Sequence, residues 1–187
     1  MSITSAKTGA TGISLALENN YMEPIASTLV GSGGSSVITF NDIPQTYKHL
    51  QVRLMANSTA NADVFFQLNG DTGANYTRHY VYGSGTAAAA GASTSMVSGS
   101  LGYVALTSNT NMFGVAVFDL LDYTNTNKNK TTRSLTGYDA NGSGLIVFYS
   151  SLWQSTAAVT SISIFTNPQS TSNFGQYTRA SLYGIKG

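Results

Sequence analysis

The feature that most constrains this 187-residue chain is that short hydrogen-bonding side chains, not charges, carry its polarity. It holds 24 Ser, 23 Thr, 15 Asn and 19 Gly, whereas Lys, Arg, Asp and Glu together make up 9%, against about 25% in ordinary domains. Ser, Thr and Asn side chains bond nearby backbone groups and so disfavour helix interiors. Thr, Tyr and Phe suit a half-buried pleated surface. No stretch of a dozen residues repeats at 3.6-residue spacing, so helix is expected to be nearly absent and the chain all-β.

Period-two alternation supports that expectation from Tyr21 onward. His49 to Ala56 sets Leu50, Val52 and Leu54 on one face and Gln51, Arg53 and Met55 on the other. Val64, Phe66 and Leu68 share a face in the next run, and Tyr76, Arg78, Tyr80 and Tyr82 share one after the Asn69-Gly70-Asp71 turn. Met112 to Tyr123 is the most apolar run and should lie centrally in a sheet. Further strands are expected at 23–30, 36–40, 101–106, 133–138, 145–150, 159–165 and 177–185. Residues 83–100 read as a long Gly/Ala/Ser loop carrying one edge strand, and 125–132 as a polar loop. Nine or ten short strands with turn signals between them, and no internal repeat, predict an antiparallel two-sheet β-sandwich of jelly-roll type. The expected organisation is an extended N-terminal arm over 1–20 and the sandwich over 21–187. The arm has only the alternation Ile13, Leu15, Leu17 as apolar content, too little to offset its ordering entropy alone. A partner surface is therefore expected to hold it, with those three residues as contacts.

Composition narrows the function classes. There is no cysteine, which removes disulfides, zinc–thiolate sites and thiol nucleophiles. Net charge is +1, so neither nucleic acid nor an anionic membrane is an expected partner. Lys128, Lys130 and Arg133 form one small basic cluster, read as a solvated loop. No run is apolar and long enough for a signal peptide or a membrane span. The N-x-S/T matches at Asn57, Asn75, Asn129 and Asn141 then follow from an Asn/Thr-rich composition. Asp139 to Gly144 resembles half of a calcium loop, but the twelfth position is Ser150 where a bidentate Glu belongs. It reads as an Asn-Gly turn, and no metal or cofactor is expected.

Titratable groups are few. Asp119 and Asp122 lie near the end of one strand, but a glycosidase must hold its two carboxyls at set separations across a substrate. They read as a strand-terminating turn. His49 and His79 sit in strand patterns, and no G-x-S-x-G elbow is present. The chain reads as a non-enzyme. Its aromatics are more informative, because 11 Tyr and 8 Phe exceed what one core needs. Tyr76, Tyr80 and Tyr82 on one face suit stacking on sugar rings or on a protein neighbour, or else a core face with hydroxyls at its rim. Trp153 reads as a core anchor.

The segments Tyr21 to Ala26, Ile43 to Arg53, Leu68 to Tyr76, Arg133 to Tyr138 and Ala180 to Lys186 resemble a group of tailed-bacteriophage proteins common in aquatic phages. The resemblance spans residues 21 to 187 and rests on structural signatures. It implies a virion component made in the host bacterial cytoplasm. The leading expectation is a head decoration (cement) protein, a homo-oligomer and in particular a trimer, that stabilises the head by binding the major capsid protein. The alternative is a tail-fibre or adhesion module that binds host-surface glycans. No functional residue carries over from the group.

Overall fold

The computed structural model describes residues 21–167 and 171–187, and among these the regular elements are all strands. Two antiparallel sheets contain them. Across the large sheet the order is β1 (Met22–Leu29), β13 (Arg179–Ile185), β3 (His49–Ser58), β9 (Gly114–Leu121), β10 (Lys130–Asp139), β11 (Gly144–Trp153), β5 (Tyr76–Gly83) and β6 (Ala88–Met96). The two-residue β8 (Ala105–Leu106) pairs with the end of β3. The small sheet runs β2 (Val37–Phe40), β12 (Ile162–Thr166), β4 (Asp63–Leu68) and β7 (Gly99–Tyr103).

Eight of these strands form one long ribbon folded on itself. β1 pairs with β13, β2 with β12, β3 with β9 and β4 with β7. The four pairs alternate between the large and the small sheet, which is the double Greek-key wrapping of a jelly roll. Two hairpins are inserted in the ribbon, β5–β6 between β4 and β7, and β10–β11 between β9 and β12. They join each other through β11 and β5, so the large sheet gains four strands that the small sheet lacks.

Between the sheets the predicted faces meet. Leu50, Val52 and Leu54 from β3, Ala116, Phe118 and Leu120 from β9, Val64, Phe66 and Leu68 from β4, and Ile162 and Ile164 from β12 are all buried. Phe66 and Phe118 span the layers with ring centroids 4.7 Å apart. Full burial of each such side chain contributes roughly 1.5–3 kcal/mol. Trp153 is buried, as expected, but at the end of β11.

The small sheet ends at β7, whose free edge lies over the added part of the large sheet. There hydroxyl residues join Val147 and Tyr149 on the inner face: Thr132, Ser134 and Thr136 of β10 and Ser151 of β11 are buried. The Thr132 hydroxyl donates to the Ser151 carbonyl at 3.4 Å, and the other three serve the edge of β7. Ser134 donates to the Leu101 carbonyl, and Thr136 donates to the Tyr103 carbonyl at 2.9 Å while accepting from Tyr103 N–H at 3.1 Å. Ser151 reaches the Ser100 carbonyl at 3.4 Å. Close approach requires glycine: a Cβ at Gly102 would collide with the Thr136 side chain, and one at Gly99 with the Phe66 ring.

Three local expectations are corrected. The edge strand expected within residues 83–100 is present as β6, but it takes nine residues and leaves no long loop, because β5 offers a full ladder that an Ala/Gly run joins despite its weak strand propensity. The polar loop over 125–132 is shorter, since β10 already begins at Lys130. Lys130 is not a solvated loop residue. It is 1% exposed and donates to the carbonyls of Asn125, Lys128 and Thr156 at 2.6, 3.1 and 3.0 Å. Its burial pushes its pKa down.

Replacing Thr136 by Val should cost about 1–3 kcal/mol in urea unfolding, because Tyr103 N–H loses its partner inside the protein. Thr39→Val, which removes the exposed hydroxyl pair to Ser163, should change stability by less than about 0.5 kcal/mol.

Candidate functional site

The widening of the large sheet leaves its outer face without a covering layer among the described residues. Strand register arranges that face in rows. Val117, Leu135, Phe148, Val81 and Ala90 stand side by side on β9, β10, β11, β5 and β6. The adjoining row carries Met55, Val115 and Ile146. These large apolar side chains are 41–59% exposed. Five strands at about 4.8 Å spacing make the first row roughly 20 Å long. Beyond it lies a polar row, Gln51, Asp119, Arg133, Ser150 and His79. Gln51 donates to Asp119 at 2.9 Å, and Arg133 donates to the Ser150 hydroxyl at 2.7 Å.

The face is slightly concave. Three adjoining depressions of about 660, 450 and 570 Å³ cross it. The first lies over β1, β13, β3 and β9, with Leu29, Met55 and Tyr177 in its wall. The second shares Val115 and Val117 with it and reaches Leu135 and Ile146. The third runs over Phe148, Val81 and the alanines of β6. Contiguous exposed apolar surface commonly accompanies contact sites, which makes this face the candidate site. It went unrecognised in the sequence because Val115, Val117, Leu135, Ile146 and Phe148 sit on strands whose opposite face is the buried one. Alternation alone does not tell an apolar outer face from a core face.

The tyrosines predicted as contacts separate. Tyr76 is fully buried; it stacks at 6.4 Å on Trp153 and packs edge-on against Phe66. Its hydroxyl accepts from Leu68 N–H at 3.0 Å, and burial pushes its pKa up to about 12. Tyr76 is thus a core residue and no contact. Tyr80 and Tyr82 point to the inner side of the large sheet, where they stack on each other at 6.4 Å and stay half-buried. Arg78 lies over the Tyr80 and Tyr149 rings at 5.3 and 5.9 Å and donates to the Ser100 hydroxyl at 2.6 Å. Ile13, Leu15 and Leu17 lie outside the described residues.

The sparse titratable groups are engaged in local structure. Asp119 accepts from Gln51, while Asp122 pairs with Lys128 and with Lys48 at 3.2 Å. The Lys128 and Lys48 ammonium groups hold the Asp122 carboxyl down at about 2. Asp122 N–H donates to His49 Nδ1 at 3.0 Å. Among the described residues no three His, Asp or Glu side chains are grouped to hold a metal ion. Asp139 Oδ1 accepts from Asn141 N–H, with Asn141 and Gly142 both at positive φ, the geometry of a tight turn. No described helix is long and apolar enough to cross a membrane. Compared with known proteins, the chain matches no family model and no curated protein.

Asp71 has a structural task at the end of β4. It accepts from Trp153 Nε1–H at 2.6 Å, from the Asn75 amide at 2.9 Å and from Gly73 N–H at 2.8 Å. The Trp153 bond above all holds its carboxyl below the usual range. A carboxyl with a depressed folded pKa contributes stability that is present above its unfolded value, near 3.8, and is lost as pH falls through the folded value. Asp122 acts with the same sign. Melting temperature should therefore drop below about pH 4, and Asp71→Asn should lower it at pH 7 while making the acid limb shallower.

Proposed function

We propose that this chain is a structural protein of a tailed-bacteriophage virion. In this reading it is a head decoration protein that docks on the major capsid protein through the outer face of the large sheet. The observation that carries the reading is the uncovered apolar trough centred on Val117, Leu135 and Phe148. Its chemistry suits lasting protein contact, since it is apolar at the centre with an amide, guanidinium and hydroxyl row beside it. The low charge of the chain leaves little self-repulsion to oppose assembly. Jelly-roll scaffolds are used in capsid and lectin domains, and the resemblance of residues 21 to 187 to phage proteins points toward the first. The protein is then made in the bacterial cytoplasm and ends on the head surface as a symmetric oligomer.

Purified protein should bind expanded heads that lack it, saturating at hundreds of copies per particle. Leu135→Lys with Phe148→Glu, an unlike-charged cross-strand pair, should weaken that binding at least tenfold, since charges are forced into a desolvated contact, while the far-UV spectrum and melting temperature stay close to those of the parent. Wild-type protein that leaves heads bare, or a double variant that binds as well as wild type, overturns the reading.

A second reading, an adhesion module for host-surface glycans, is favoured by one observation. Tyr80 and Tyr82 form a half-exposed aromatic pair beside Arg78, a combination that stacks on sugar rings. Under this reading Tyr80→Ala with Tyr82→Ala abolishes binding to a glycan array that the parent protein recognises. An array with no hits removes it.

A further inference from the structure

A sheet edge presents unpaired N–H and C=O groups, and proteins that remain separate blunt such edges. Three of the four edges in this fold are blunted. The outer strand β1 contains Pro24, and its ladder is broken by a bulge between Pro24 and Ala26. β2 is only four residues long. The free edge of β7 is bonded by the hydroxyls of Ser134, Thr136 and Ser151. The fourth edge, β6, has none of these devices over Ala88 to Ser93. That stretch has no proline, no charge and no bulge, and it is mostly exposed. The irregularity in its ladder comes only after Ser93, where Ser95 takes a positive φ of 54°.

We infer that β6 pairs with β6 of a second copy of this chain, antiparallel across a two-fold axis at Ala90. The stretch Ala88-Ala89-Ala90-Gly91-Ala92 suits that occupant. Ala90 faces its own copy, Ala88 faces the partner's Ala92, and Ala89 faces the partner's Gly91. No bulky or like-charged pair is opposed, which a two-fold contact demands because every residue meets the same surface. In a two-fold edge pairing the outer faces of both copies lie on one side. The Val117–Leu135–Phe148–Val81–Ala90 row then continues directly into its mate, doubling the apolar trough. The product is a dimer, not the trimer that the resemblance implies.

Sedimentation velocity and native mass measurement on the full chain distinguish these outcomes, separately from any head-binding result. The expected species is a dimer at micromolar concentration. Ala88→Lys with Ala92→Lys opposes like charges at two cross-strand pairs and should weaken the dimer roughly tenfold or more. Ala88→Lys with Ala92→Asp opposes unlike charges in the same register and should retain it. Both substituted positions are exposed in the single copy, so an unchanged melting temperature shows that each variant folds. A wild-type monomer or trimer overturns the inference, as does a dimer equally strong in both variants.

Discussion

The structure depends on a contact between the edge of one sheet and the face of the other. A jelly roll normally closes with two sheets of similar width, but here two inserted hairpins make the large sheet twice as wide as the small one. The free edge of β7 would then lie over an apolar surface with its carbonyls unbonded, at a cost of about 1–3 kcal/mol for each buried group. The hydroxyls of Ser134, Thr136 and Ser151 prevent that. They also explain why hydroxyl residues, not aliphatic ones, occupy the inner face of β10 at Ser134 and Thr136. Glycine at positions 99 and 102 is the other half of the arrangement, since it lets the strand approach closely enough for short side chains to bond it.

The same widening makes the outer face. Among the described residues this wide sheet is covered by another layer on one side only, which leaves its opposite side to solvent or to a partner. Polar residues could have filled it, as they do in many antiparallel sheets. Instead the central strands put Val115, Val117, Leu135, Ile146 and Phe148 there. Charge is confined to rows and ends beside the patch, and most of it is already engaged: Asp122 with Lys48 and Lys128, Glu23 with Lys186, Asp119 with Gln51. The resulting surface has a dry centre, fixed polar groups beside it and an unblunted strand at one border. Those are properties that suit contact, and the carboxylates of Asp71, Asp119 and Asp122 are engaged in the fold around it.

Much of this was legible before any coordinates. The scarcity of charge, the hydroxyl and amide surplus and the period-two runs pointed to an all-β jelly roll. The inward triplets Leu50–Val52–Leu54 and Val64–Phe66–Leu68 are in the core as their alternation required. Other features were hidden for physical reasons. The edge strand expected within 83–100 is β6, but its length of nine residues was hidden, because Ala88 to Ser93 has little strand propensity of its own and is extended by pairing with β5. The Tyr76, Tyr80, Tyr82 stripe is a single face by period, yet it crosses from the covered core under the small sheet to the partly open area past β7. Tyr76 therefore packs on Trp153 while Tyr80 and Tyr82 stay half-buried. Lys130 looked like one of a solvated basic trio, and only the fold brings three carbonyls around its ammonium group.

By itself, the sequence determined fold class, the succession of short strands, the turns at Asn69-Gly70 and Asn141-Gly142, and the absence of any cysteine chemistry. These follow from local backbone preference and from side-chain period, which act over a few residues. Tertiary structure alone decided which apolar face is covered, which edge stays free and which hydroxyls are buried. All three depend on the relative width of the two sheets, which is set by how strands far apart in the chain, such as β5 and β11, pair with each other. A period of two states that a strand has two faces, and only the packing of the layers states which of them meets water.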